Sequence, residues 1–298
     1  RLFNPWRRRS GPTGRVIDFL ASAGRLNPRM HNKLFAADGA AVILGGRNIG
    51  DEYFVRDRDL DFRDLDVLAV GPVAREASQS FDAYWNSEFS VPADAIQLRG
   101  ARPTIDEVRR VVDEHAVKLR EGRYVRSINS SPLAREIARL QLFVEPATAS
   151  IVADDPDKLR LDGNTARPDM ITQMRTAMGE PERALVISSP YFVPGRDGVR
   201  LLASYEKRGV TVQVLTNSFA ANDVPVVHVG YAKYRPALLR AGVELFEFKR
   251  STTADTDRRS ARRFGSANSS LHAKAMGIDG RWLFVGSAIF SAAFALLG

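Results

Sequence analysis

The chain has 298 residues, is 44% hydrophobic and contains no cysteine, so it can bury a sizeable core while disulfide and thiolate chemistry are excluded. Its net charge of +8 favours anionic partners such as phospholipid headgroups, nucleic acid or phosphorylated metabolites, with plain solubility as the bland alternative. No run of about 18 apolar residues occurs, so nothing here spans a bilayer, and four scattered histidines leave little for a zinc site.

The chain opens at Arg1 without a methionine and is read as a fragment from which a targeting segment could have been lost. Phe3, Trp6, Arg7, Arg8 and Arg9 give the start an aromatic and basic character suited to an anionic bilayer surface. Residues 30 to 38 read as a strand and 41 to 44 as its return, joined at Asp38-Gly39, a hairpin signal. Residues 65 to 70 read as a buried strand and 73 to 89 as an amphipathic helix. A further helix covers 104 to 120, with Thr104 as N-cap and Glu107 closing a capping box. Residues 90 to 165 are the least regular part and hold the connection between lobes. Helices at 169–178, 198–208 and 224–241 then alternate with strands at 184–189, 210–216 and 243–248. That order implies an α/β lobe with a substantially parallel sheet. The stretch 251–270, with Arg258, Arg259, Arg262 and Arg263, has the composition of a mobile loop. Finally 271–278, Asp279-Gly280 and 282–285 form a second hairpin.

That second hairpin repeats the first. His31-x-Lys33-x4-Asp38-x6-Gly45 recurs as His272-x-Lys274-x4-Asp279-x6-Gly286, the mark of a duplicated unit. Alternate side chains of a strand share a face, so the single residue between each histidine and lysine aims both at one spot. Each copy supplies half of one site. One neutral imidazole can attack phosphorus while the other, protonated, donates to the departing oxygen. The lysines neutralise the nonbridging oxygens, so neither metal nor cofactor is required. The repeated set is therefore His31, Lys33, Asp38, His272, Lys274 and Asp279, and the two aspartates, at the hairpin turns, favour a structural role there. Gly46 permits close backbone approach in the stretch after the first hairpin, and Asn48 can donate its amide to a phosphate oxygen. Asp64, at the head of the next strand, could reach back to orient the nucleophile, or merely cap that strand.

The paired motifs resemble the phospholipase D superfamily. Longer strings narrow this: Arg29-Met-His-Asn-Lys-Leu-Phe35, Gly45-Gly-Arg-Asn-Ile-Gly-Asp-Glu-Tyr-Phe54, Phe62-Arg-Asp-Leu-Asp-Val-Leu68, Phe81-Asp-Ala-Tyr-Trp-Asn-Ser87, Ser189-Pro-Tyr-Phe-Val-Pro-Gly195, Leu215-Thr-Asn-Ser218 and Val227-His-Val-Gly-Tyr-Ala-Lys-Tyr-Arg235. Together they resemble the bacterial C-type cardiolipin synthases. The resemblance implies an α/β fold of two pseudo-twofold lobes, over 1–150 and 151–298, each a mixed, largely parallel sheet flanked by helices, with the site between them. It implies a phosphohistidine intermediate on His31, with His272 as general acid/base, Lys33 and Lys274 as phosphate ligands, Asn48 as a further donor and Asp64 as the acidic partner of His31. Ser287 belongs to the supporting set.

The resemblance also implies anionic and zwitterionic phospholipids as partners, a peripheral place on the cytoplasmic side of the bacterial inner membrane, and no obligate protein partner. One departure stands out. Gly286-Ser287-Ala288 is followed by Ile289 where the family carries asparagine, and the acidic partner expected for His272 lies beyond the end. The second half-site therefore reads as the damaged one and the chain as weakly active or inactive. Hydrolysis to phosphatidate is the near alternative. A nuclease is a further one, which the strings and the lack of a stacking platform argue against. A catalytically dead lipid-binding protein is the third. Of the other histidines, His115 reads as a surface residue, and His228 as a packed helix residue or a neighbour of an acceptor pocket. Tyr191 and Phe192 follow the end of a strand, where ligand contacts are common and core packing is the default.

Overall fold

The computed structural model describes residues 1–5, 30–54, 61–95, 103–120, 122–139, 141–160, 169–249 and 269–287. The basic clusters at 7–9 and 258–263, and Ile289 with the apolar tail, lie outside the described residues. The chain divides into two compact units, one of residues 1–5 and 90–149, the other of 6–89 and 150–298. Both motif copies belong to the second unit. A boundary at 150 between repeated lobes divides the chain by duplication and not by compactness, and it stands as a proposal.

In chain order the strands begin with β1 (Leu2–Phe3), β2 (Leu34–Ala37), β3 (Ala41–Gly45), β4 (Asp61–Arg63) and β5 (Asp66–Val70). Helix α1 (Pro72–Asn86) and β6 (Ser90–Val91) follow, then α2 (Ile105–Arg120), α3 (Arg123–Asn129) and α4 (Pro132–Ala138). The last stretch runs α5 (Met170–Met178), β7 (Ala184–Ser188), α6 (Gly195–Lys207), β8 (Thr211–Asn217), α7 (Pro225–Arg240), β9 (Glu244–Phe248), β10 (Ser269–Leu271), β11 (Ala275–Ile278) and β12 (Trp282–Val285).

In the first unit β1 pairs antiparallel with β6. Helix α2 starts as its sequence dictates: the Glu107 amide donates to Thr104 Oγ1 (3.2 Å) and the Thr104 amide to Glu107 Oε2 (2.7 Å), a reciprocal capping box. The expected irregularity of 90–165 is only partly right, because α3 and α4 form there. Helix α4 carries a legible start, with Ser131 accepting from the Ala134 amide and Pro132 at the first helical position.

In the second unit the later half forms a five-stranded sheet in the order β12-β11-β7-β8-β9. β7, β8 and β9 are parallel, joined through α6 and α7, while the β11–β12 hairpin adds antiparallel on the β7 edge. Its strands bury Ile187, Val212 and Val214 completely against Leu202 of α6 and Leu238 of α7. The earlier half differs from expectation. Its sheet, β2-β3-β5, is antiparallel throughout the described residues, β2 and β3 forming a hairpin and β5 adding antiparallel to β3. β5 is also not buried: Val67, Leu68 and Val70 are exposed, because among the described residues β5 is an edge strand with β3 as its neighbour. A small core of Val42, Ala74 and Ala77 seats α1 on this sheet.

The pairing that positions the site is a short one. β4 from the early half and β10 from the late half pair in parallel, Asp61 with Ser269, Phe62 with Ser270 and Arg63 with Leu271.

Candidate functional site

Both motif histidines sit just before their strands, not within them, yet the one-residue spacing works as expected. Lys33 Nζ donates to the His31 carbonyl (2.9 Å) and stands 3.2 Å from both ring nitrogens of His31. Lys274 repeats this in the second copy, donating to the His272 carbonyl (3.0 Å) with its Nζ 3.2 Å and 3.4 Å from the ring nitrogens. The duplication is therefore geometric as well as sequential.

The β4–β10 register decides what faces His272. One step past the Arg63–Leu271 pair, the amides of His272 and Ala273 both donate to the Arg63 carbonyl (2.8 and 2.9 Å). Asp64 thus arrives beside His272 and bonds its Nδ1 at 2.6 Å, with the carboxylate fully buried. This corrects two expectations. Asp64 orients the second histidine and not His31, and the second half-site does not lack a carboxylate. Strand pairing across the halves, which no local pattern encodes, produces the crossing. The converse contact crosses too: the Ser287 carbonyl, next to Gly286 of the second copy, accepts a hydrogen bond from the His31 ring. Gly46 makes room for the Asp64 carboxylate, with which a Cβ there would collide.

Electrostatics follow from crowding cations into a half-closed space. His31, exposed at the rim, is lowered to about 4 by desolvation and then by the charges of Lys33, Lys274 and His272. Lys33 and the buried Lys274 are each lowered to about 8, by desolvation first, against which Asp64 pulls upward. Burial pushes the Asp64 carboxyl up, but the His272 hydrogen bond, the Leu65 amide and the nearby cations together hold it below the ordinary carboxylate value. The result is a neutral imidazole beside two ammonium groups and a carboxylate-braced imidazole, a setting built for an anion.

Around His272 stand Tyr53 and Phe62, ring centroids 5.1 Å away, and Tyr191 at 6.3 Å. Asn48 donates to the Tyr53 hydroxyl (2.6 Å), which lies 3.5 Å from His272 Nε2. Asn48 is therefore in the site, acting on the tyrosine. The motif aspartates hold turns. Asp38 and Asp279 have φ of 53° and 57°, and the Asp279 carboxylate accepts the amides of Glu182, Arg183 and Ala184 (2.8–3.0 Å), fastening its hairpin to the start of β7. His115 is on the surface, its Nδ1 2.9 Å from the Val111 carbonyl. His228 packs between Phe219 and Tyr231. Among the described residues no cluster of three or more His, Cys, Asp or Glu could hold a metal ion.

Sequence reasoning missed Asn217 as a functional residue. Buried at the end of β8, its side chain accepts from the Leu271 amide and donates to the Leu271 carbonyl, both at 2.9 Å, clamping the residue before His272. An asparagine at the carboxyl end of a parallel strand was the available signal.

Residues 174–293 match the family described as cardiolipin synthase, PLD-like domain. Cardiolipin synthase C of Escherichia coli (strain K12) is 38% identical over 299 aligned residues, covering all of this chain and 62% of that protein. An uncharacterized protein of Helicobacter pylori (strain ATCC 700392 / 26695) is 31% identical over 96% of this chain and 56% of its own length. A cardiolipin synthase of Geobacillus thermodenitrificans is 25% identical over 91% of this chain and 41% of its own length. The chain therefore spans less than two thirds of the length of each of these curated relatives.

Proposed function

We propose that this chain is a member of the phospholipase D superfamily, which it resembles over its full length, and that its protein is a phosphatidyltransferase that forms cardiolipin from two phospholipids. The observation that carries this reading is the convergence of two His–Lys pairs whose supports are exchanged between the halves. His31, neutral near pH 7, attacks phosphorus; its N–P bond forms as the bond to the headgroup oxygen breaks. His272, with Asp64 on Nδ1, presents Nε2 to that oxygen and gives it a proton. The acceptor alcohol then attacks phosphorus, its proton passing to His272 Nε2 as the N–P bond breaks. Lys33 and Lys274 hold the nonbridging oxygens throughout, doing the neutralising that a metal ion does elsewhere.

Phospholipids, anionic or zwitterionic, are the partners that fit this chemistry, with water in place of the alcohol giving phosphatidate. No helix among the described residues is long and apolar enough to cross a membrane. A peripheral position on the cytoplasmic face of the inner membrane is our reading of where the protein works. Mixing the protein with phosphatidylglycerol, with and without phosphatidylethanolamine, and analysing lipids by mass spectrometry tests it. Cardiolipin should form, persist under chelator, and vanish with His31→Ala. Accumulation of phosphatidate alone would favour hydrolysis, and metal-free cleavage of plasmid DNA with no action on lipid would overturn the lipid reading.

A further inference from the structure

We infer that Tyr191 and Asp223 form the subsite for the alcohol that the site exchanges, and that this subsite selects polyhydric alcohols over monohydric ones; the inference rests on the phosphatidyl-transfer reading above. The sheet brings the parts together. β7 and β8 run parallel, so their carboxyl ends open on one edge, where α/β sheets take ligands. Tyr191 follows β7 and Asp223 follows β8. β11 is antiparallel to β7, so His272 and Lys274, just before it, arrive at the same edge. The Tyr191 ring lies edge-on to His272 and 5.9 Å from Lys274 Nζ, and its hydroxyl donates to both Asp223 oxygens (2.7 and 2.9 Å). Burial and the carboxylate both push the phenol pKa up, so Tyr191 keeps its proton as a donor. Asp223 itself is exposed to solvent, and its charge is felt at Lys274 and Tyr53.

A carboxylate at the rim of a cationic phosphate cradle repels the phosphate oxygens, and it only accepts hydrogen bonds. Its natural ligand is a hydroxyl-bearing group. In a double displacement the departing and entering alcohols take the same place, since one group, His272 Nε2, protonates the first and deprotonates the second. Tyr191 walls that place, so the Asp223 carboxylate, one hydrogen bond further out, meets the next polar group along the alcohol. As the entering oxygen bonds phosphorus, the His31 N–P bond breaks and the alcohol's proton goes to His272, while a second hydroxyl remains on Asp223.

The test offers the intermediate two alcohols of equal carbon count. The protein is given a phosphatidyl ester of p-nitrophenol in mixed micelles with equal concentrations of glycerol and n-propanol, and phosphatidylglycerol and phosphatidylpropanol are quantified. Both products arise from one intermediate, so their ratio is indifferent to how fast it forms or how much protein is folded. The wild type should prefer glycerol, and Asp223→Asn and Tyr191→Phe should each lower the ratio about tenfold, the worth of one hydrogen bond to a charged group. An unchanged ratio in both variants, or no glycerol preference in the wild type, overturns the assignment and leaves the pair as a tie between loops. A wild type that releases no nitrophenol overturns the transferase reading first, and the subsite with it.

Discussion

At the scale of single residues, the two lysines set the terms. Lys274 is buried and Lys33 half-buried, and each is held to about 8 from an ordinary 10.5. Between pH 8 and 10.5 the unfolded chain binds more protons than the folded one, so stability rises with pH through that window. On the proposed chemistry, activity moves the other way, because Lys33 and Lys274 lose the charge that would hold the phosphate oxygens. The expected outcome is that kcat/KM falls above pH about 8 while Tm rises, read from a pH–rate profile and a parallel series of thermal melts. Lys274→Met, of similar length, should abolish turnover and raise stability by about 1 kcal/mol, a Tm gain of ~2–4 °C. The histidines and lysines were legible from their spacing, because a one-residue interval has few geometric meanings. The partner of Asp64 was not, since it depends on which distant strand lies alongside β4.

At the scale of elements, the three-residue β4–β10 pairing and the Asn217 clamp do what the large sheet alone cannot: they fix the peptide that carries His272. Removing the clamp leaves the buried Leu271 amide and carbonyl without their side-chain partner. Asn217→Ala should therefore cost about 1–3 kcal/mol in denaturant unfolding. It should lower kcat at least tenfold with little change in KM, because misplacement of the acid/base group affects the transition state more than lipid binding. A parallel fall in stability with kcat intact would reduce Asn217 to a structural residue. Most of the helices and strands between 169 and 248 were readable within a few residues from the alternation of helical and extended patterns. The antiparallel early sheet and the exposure of β5 were not, since the run 65–70 has the composition of a central strand and only its neighbours make it an edge.

At the scale of the whole molecule, the repeat is more evenly shared than the sequence suggests. Each copy contributes a histidine and a lysine, and each histidine is steadied by the other copy: His272 by Asp64, His31 by the Ser287 carbonyl. The halves differ in their surroundings: desolvation and nearby cations act on the His31 ring, while a buried carboxylate bonds the His272 ring. The proposed roles follow these surroundings: His31, kept neutral, as nucleophile and His272, hydrogen-bonded to the Asp64 carboxylate, as proton donor. Rapid quenching of the reaction with a phosphatidyl substrate, followed by peptide mapping of the trapped phosphohistidine, tests this most directly. The adduct should sit on the peptide containing His31. An adduct on the His272 peptide would contradict the assignment.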